Sequence, residues 1–267
     1  METALRLSGF REPLGLWRHR AGPPSQQPGL RAERIEYSSR GDRATGRLWL
    51  PRHANGEVPV VLIEHRAGES AASSEIEAIA LRVAQRGAAV VAIDFPLHGG
   101  RGDAKLGARL ARALGGERDA APPDLVQEFA RQAVVDLERA LDACGFMPEL
   151  DLERVGYVGL GVGARIGAAF AALDARVRAV ALAFPGAGDA TSTVDAGAFV
   201  ARIAPRPLLL IHAGRSDADG ARGARALFEA AGDPKQESRV GSDVPGDPAV
   251  QHALERFLVP ALGLPDA

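Results

Sequence analysis

A turn with the spacing of a nucleophile elbow lies between a predicted strand and a predicted helix in the stretch 154–173, RVGYVGLGVGARIGAAFAAL. In such a turn, a Ser or Cys at the middle position attacks an acyl carbon. The outer positions must be small because the strand and the helix come within contact distance there. The turn here is Gly159-Leu160-Gly161-Val162-Gly163, so its middle residue is Gly161. The frame for covalent catalysis is present, and the nucleophile is missing.

Other polar residues that could do chemistry follow the predicted strands. In an open parallel sheet the ligand crevice lies outside the carboxyl ends of the strands, so these side chains should share one edge with Gly161. Two His and three Asp could bind a divalent metal or form acid-base pairs. None of His65, Asp94 and His98 shows a metal-type local spacing, so we expect these three to hold the strand-end loops and predict no metal and no cofactor. The two His and three Asp are His65, Asp94, His98, Asp217 and Asp243.

The remaining candidates have simpler interpretations. His212 lies at the end of a buried strand, and we expect a core histidine with satisfied hydrogen bonds. Ser70, Ser216 and Ser242 lie in edge loops without a glycine elbow, so turn or cap roles are favoured.

The pattern of elements predicts an α/β fold with a mostly parallel sheet. Continuous apolar runs at 59–65, 88–95, 177–184 and 207–214 alternate with helical patterns, which is typical of parallel strands covered on both faces. The alternating segments 34–37 and 46–50 predict an antiparallel pair at the sheet edge. A helix is expected over 74–85, and another, capped by Asp124, extends to about Cys144.

The predicted organisation is one domain over residues 31–267, preceded by an arm and linker over 1–30. A polar insertion at about 96–123, with a short helix near 105–114, has the character of a small lid. The 267 residues are 46% hydrophobic, and α/β folds of this length commonly form a single domain.

Charge and composition narrow the expected partners and location. A net charge of −2 and a pI near 6.3 give no electrostatic reason to expect nucleic acid or an acidic membrane surface. Cys144 is the single cysteine, so no intrachain disulfide is possible. The N-terminus lacks the pattern of a secretory signal, and we expect a cytoplasmic protein. The oligomeric state is left open, and a small-molecule ligand is the expected partner.

Four motifs in order resemble the α/β-hydrolase family, and within it the dienelactone hydrolase and small bacterial esterase branch, over about residues 33–260. These are His65 to Gly68, Asp94-Phe95-Pro96-Leu97-His98-Gly99, the glycine frame of the elbow, and ARIAPRPLLLIHAGRSD at 201–217. The resemblance implies an α/β-hydrolase fold with Gly161 at the nucleophile position and Asp217 as a vestigial triad acid. It also implies an oxyanion loop at His65 to Gly68.

The chain departs from that family at the residues that carry the chemistry. The resemblance places the catalytic His within 239–245, near Asp243, but no His occurs there. His252 comes later, inside the last predicted helix, where a solvated polar role is favoured. Arg66 stands where the family usually has Gly, and its long side chain is expected to crowd an acyl pocket.

These departures predict a catalytically impaired pseudoenzyme that binds a small molecule or a protein partner. The candidate binding residues around the pocket are His65, Arg66, Asp94, His98 and Val162. The alternative is an active hydrolase that cleaves an ester or similar small substrate with non-standard residues.

A third interpretation is a dinucleotide-binding oxidoreductase, because Gly159-x-Gly161-x-x-Ala164 fits the dinucleotide fingerprint. That fingerprint belongs to the first strand of its sheet and needs an acidic residue at the end of the next strand. The next strand here ends Ala183-Phe184-Pro185, which argues against this interpretation.

Overall fold

The computed structural model describes residues 12–20, 29–52, 56–186, 195–214, 218–242 and 244–265. Within these ranges one sheet runs through the molecule in the order β1-β2-β3-β5-β4-β6-β7-β8-β9. The strands are β1 (Trp17–Arg20), β2 (Leu30–Ser39), β3 (Asp42–Pro51), β4 (Val58–Glu64), β5 (Ala89–Ile93), β6 (Leu150–Leu160), β7 (Val177–Ala183), β8 (Leu208–Ala213) and β9 (Lys235–Val240).

The sheet is parallel from β5 to β9 and antiparallel at the β1-β2-β3 edge. Its order reverses around β4, because β5 lies on one side of β4 and β6 on the other. This arrangement brings the carboxyl ends of β4, β5, β6, β7 and β8 to one edge. The expected mostly parallel sheet with an antiparallel N-terminal edge is thus the observed one.

Helices cover both faces of the sheet and enclose two apolar cores. One core lies under α2, α3, α4 and α5, and the other lies under α1 and α7. Because strands such as β4 and β5 are buried along their whole length, continuous apolar runs, rather than alternation, mark them in the sequence. The helices are α1 (Ser74–Gln85), α2 (Ala104–Leu114), α3 (Pro123–Cys144), α4 (Val162–Leu173), α5 (Ala196–Phe199), α6 (Ala218–Ala230) and α7 (Pro248–Leu262), with 3₁₀ turns at Gly99–Arg101 and Val200–Ile203.

The N-terminal segment corrects one expectation. Part of the predicted arm and linker, Trp17–Arg20, forms β1, which pairs with β2 and extends the sheet. Four residues are too few to show strand alternation, and ion pairs from Arg18 to Glu33 (2.8 Å) and Glu149 (2.6 Å) help to fix this strand. Residues 1–11 and 21–28 lie outside the described ranges.

The expected cap of α3 is wrong by two residues. Pro122 holds the N-cap position, without a side-chain hydrogen bond, and Asp124 lies in the first turn. A carboxylate there still interacts favourably with the helix dipole. Among the described residues, no helix is both long enough and apolar enough to cross a bilayer.

A buried carboxyl group lies beneath the elbow, at the end of β4. Glu64 is fully buried, and its Oε1 accepts a hydrogen bond from the Ile93 N–H at 3.2 Å. Its Oε2 is buried and has no hydrogen-bond partner within the described part of the chain. Burial therefore raises the pKa of Glu64 well above its ordinary value, because transfer of a charged carboxylate out of water is costly.

This environment predicts that Glu64→Gln stabilises the fold at neutral pH. Because burial raises the pKa of Glu64 in the folded protein, the unfolded chain ionises this carboxyl first, above about pH 4.5, and wild-type stability falls as the pH rises from there. Each pH unit in which only the unfolded chain is ionised costs about 1.4 kcal/mol. Urea unfolding at several pH values measures this effect. The free energy of unfolding of Glu64→Gln should rise relative to that of wild type between pH 4.5 and pH 7.

The matched control is Glu57→Gln, at an exposed glutamate, which should show no such pH-dependent gain. A Glu64→Gln variant that is equally destabilised at pH 4.5 and pH 7 would contradict the neutral state of Glu64.

Candidate functional site

The elbow is formed where β6 ends at Leu160 and α4 begins at Val162. Gly161 between them has φ 56° and ψ −112°, a left-handed conformation that non-glycine residues enter at a cost. Its N–H donates to the Ala183 carbonyl at 2.9 Å, which ties the turn to β7. The turn is therefore sharp and fixed on both sides.

The two outer glycines of the frame are required by the packing of backbone on backbone. A Cβ on Gly159 would lie 2.5 Å from the Gly163 oxygen and 2.6 Å from the Cα of Ala164. A Cβ on Gly163 would lie 2.7 Å from the backbone carbonyl oxygen of Glu64. These contacts explain the glycine spacing without a bound pyrophosphate.

Arg66 covers the place where a nucleophile would stand. A Cβ built on Gly161 would lie 3.2 Å from the Cγ of Arg66 and 3.5 Å from its Cβ and Cδ. The Nε atom of Arg66 lies 3.7 Å from Glu75 on α1. The aliphatic part of Arg66 thus takes up the volume next to Gly161 that a side chain at that position would enter.

His65 has both ring nitrogens occupied by backbone partners. Its Nδ1 hydrogen-bonds the Arg66 carbonyl at 2.8 Å, and its Nε2 accepts from the Phe95 N–H at 3.2 Å. A carbonyl can only accept, so the proton is assigned to Nδ1. Burial lowers the pKa of His65 to about 4, and the ring is neutral at physiological pH. The structure gives His65 the role of joining two strand-end loops.

Asp94 organises the loop that follows β5. Its carboxylate accepts hydrogen bonds from the Thr45 hydroxyl and from the N–H groups of Ala71 and Gly100, each at 2.9 Å. Further along, Arg101 forms a buried ion pair with Asp136 of α3 at 2.6 Å. The loop is therefore held by β3, by the segment before α1 and by α3.

His98 differs from His65 because one of its nitrogens is unused. Its Nδ1 hydrogen-bonds the Pro96 carbonyl at 2.9 Å, and the ring packs 5.2 Å from His65 and 5.7 Å from Phe129 between centroids. Its Nε2 is buried and has no partner in the described ranges. Because the Pro96 carbonyl can only accept, the proton is assigned to Nδ1, which leaves Nε2 as an acceptor in the neutral ring; burial lowers the pKa of His98.

His212 is only partly satisfied, in contrast to the expectation. Its Nε2 lies 2.7 Å from the Glu237 carboxylate on β9, and this hydrogen bond lowers the pKa of Glu237 although the small burial of that carboxyl opposes it. Its Nδ1 is buried without a partner in the described part of the chain. Sequence reasoning missed Glu237 because the residue opposite His212 in the strand pairing is Arg239, while Glu237 is opposite Leu210 and reaches His212 diagonally.

The predicted acid and base positions, Asp217 and Asp243, lie outside the described residues, as does Ser216. His252 is exposed on α7, as expected for a polar residue on a solvated face. The hydroxyl oxygens of Ser70 and Ser242 accept hydrogen bonds from backbone N–H groups two residues later, which is the geometry of turn residues. Where the structure describes the chain, three or more His, Cys, Asp or Glu side chains nowhere cluster in a way that could hold a metal.

A pocket opens beside the elbow, next to the C-terminal end of α2. It is lined mainly by apolar side chains of α2, α3 and α4, including Leu114, Phe129, Val162 and Ile166, and its described charged residues are Arg165 and Asp195. Val162 provides the first N–H of α4, which has no acceptor within the helix. Sequence analysis singled out Val162 but missed Arg165, although its position three residues later places it on the same helical face.

The sheet order, the elbow after β6 and the helices on both faces define an α/β-hydrolase fold. The chain belongs to the dienelactone hydrolase family, because the model of that family matches residues 45–237.

Solved structures of esterases share the architecture. An acetyl xylan esterase from Paenibacillus sp. R4 has a TM-score of 0.76 at 18% identity, covering 94% of this chain and 90% of that one. Acetyl xylan esterase 1 from Thermoanaerobacterium sp. JW/SL YS485 has a TM-score of 0.73 at 16% identity, with 94% and 89% covered. A cold-adapted esterase from an Arctic intertidal metagenomic library has 0.67 at 18%, with 89% and 98% covered. Curated protein sequences gave no match.

The elbow geometry predicts a clear order of stability losses. Gly159→Ala should destabilise the fold by about 3 kcal/mol, because its methyl group meets backbone that cannot move away. Gly161→Ala should cost only about 1–2 kcal/mol, because it adds backbone strain while its neighbour Arg66 is flexible. Urea unfolding of both variants measures the difference.

Repeating Gly161→Ala in an Arg66→Ala background separates crowding from strain. In that background, the loss of unfolding free energy that remains on Gly161→Ala is due to backbone strain alone. Equal losses for Gly159→Ala and Gly161→Ala would contradict the different surroundings of the two positions.

Proposed function

We propose that this protein is a catalytically impaired member of the dienelactone hydrolase family that binds a small molecule in the pocket beside Val162. The proposal accounts together for the retained fold, the altered elbow and the pocket. As expected from the sequence, we place the protein in the cytoplasm, which remains a proposal.

The observation that carries this proposal is the pairing of Gly161 with Arg66. Covalent acyl transfer needs a nucleophilic side chain at the elbow, and Gly161 has none. The Arg66 stem lies within van der Waals reach of the missing Cβ. Position 161 therefore offers no nucleophilic group, and the aliphatic part of Arg66 lies next to it.

His65 does not replace the missing base. The sequence has no His from Arg239 to Pro245, where the family resemblance implies one. His65 is neutral and has both nitrogens bonded to backbone groups. A nucleophile and a base act as a unit in such sites, so the loss of both argues against acyl-enzyme chemistry.

An active hydrolase is the second candidate, and one observation favours it. The unused Nε2 of His98 is an acceptor for a proton from a water molecule, and the His98 ring packs against Phe129 of the pocket wall. The esterase names of the structural neighbours would then suggest an ester substrate. This candidate needs no residue at the elbow, but it requires water as the nucleophile.

The two candidates predict opposite results in an ester assay. We expect wild-type protein to hydrolyse p-nitrophenyl acetate no faster than an unrelated protein at equal concentration, and to remain unlabelled by a fluorophosphonate probe. Stoichiometric labelling at one serine would overturn the proposal. Turnover abolished by His98→Gln would favour the second candidate.

Restoring the serine alone should not restore activity. Gly161→Ser lacks a base and collides with Arg66, so turnover should stay at background. Gly161→Ser with Arg66→Ala and Val244→His supplies the nucleophile, the space and a histidine at the family's base position. Ester turnover well above background in Gly161→Ser alone would reveal a base that our assignment lacks.

A further inference from the structure

The pocket beside α2 is small and mostly apolar. It encloses about 60 Å³, several times the roughly 10–15 Å³ that one water needs. Carbon-rich side chains come from three helices, with Leu114 on α2, Phe129 on α3, and Val162 and Ile166 on α4. Apolar walls of this kind favour a ligand that is itself apolar, because such a molecule is weakly hydrated and little free energy is needed to remove it from water.

The charged groups at the pocket do not favour a charged ligand. The described lining holds one cation, Arg165, and one anion, Asp195, so the two signs balance. The Nη2 of Arg165 already donates to the Leu114 carbonyl at 2.5 Å, at the carboxyl end of α2. An ionic ligand would give up its hydration and gain no excess of opposite charge in return.

We infer that the pocket beside α2 binds an uncharged small molecule whose apolar part is no larger than a single aromatic ring, since a cavity known to bind benzene encloses about 150 Å³. This inference rests on the proposed small-molecule binding function and adds the chemical class of the ligand. The apolar helices provide the binding surface, and Arg165 holds α2 beside it by its hydrogen bond to Leu114.

Three probes with the same ring and different charge test the class. Isothermal titration of the full chain with benzyl alcohol, benzoate and benzylamine compares a neutral, an anionic and a cationic ligand. We expect benzyl alcohol to bind with a Kd at least about tenfold lower than either ion. Equal or tighter binding of benzoate or benzylamine would overturn the class of ligand, and so would the absence of benzyl alcohol binding.

Two substitutions test the place of binding. Ala113→Leu on α2 and Val126→Phe on α3 extend side chains that line the pocket, and each should weaken benzyl alcohol binding at least about tenfold. Ala108→Leu is the matched control, because Ala108 is exposed on the same helix as Ala113 and should leave binding unchanged. Unchanged binding in both pocket variants, with melting curves that show folded protein, would overturn this location.

These outcomes are distinct from a failure of the proposed function. Ester turnover by the wild-type protein would remove the pseudoenzyme proposal whatever the charge preference of the pocket. Tight benzoate binding that Ala113→Leu abolishes would keep a binding protein and overturn only the inferred ligand class.

Discussion

The close approach of β6, α4 and β4 at the elbow is the constraint on which the rest of the site depends. Gly159 lies against the first turn of α4, and Gly163 lies against the backbone of Glu64. Because no Cβ fits at either contact, the helix begins directly above the strand ends. That placement puts Val162 beside the pocket and sets the direction from which any ligand approaches α4. The constraint at Gly159 and Gly163 concerns backbone contacts, so it does not require a reactive side chain at position 161.

The polar groups at the same edge are used mainly to hold loops together. The Asp94 carboxylate accepts three hydrogen bonds from three different segments, and His65 bridges the loops after β4 and β5. Buried polar groups need such partners, since an unpaired one costs stability. Residues that could have been assigned to acid-base chemistry are therefore explained as scaffold. Their roles would be unaffected by the loss of a nucleophile, which is consistent with an intact fold around an altered elbow.

The sequence predicted elements well where local pattern determines them. The helix expected over 74–85 begins and ends at those residues, because its apolar stripe and acidic first turn are local signals. Trp17–Arg20 was missed because pairing with β2, rather than its own pattern, makes it a strand. The site was harder to predict. The partners of His212 and the pocket position of Arg165 depend on strand register and on how three helices converge, which a single sequence does not encode in any short stretch.

Glycine at 161 and arginine at 66 are best understood as one change of packing. A residue with a side chain at 161 would meet the Arg66 stem at 3.2 Å, so the long side chain fits because the turn residue has none. Gly161 also adopts a positive φ without the backbone strain that other residues have there. A nucleophilic side chain at this position would lower the stability of the fold by that strain. Gly161 and the Arg66 stem beside it are the features on which we base the proposal that this elbow does not carry out nucleophilic attack. The apolar pocket beside Val162 is lined by side chains of α2, α3 and α4, so its walls do not depend on a side chain at position 161.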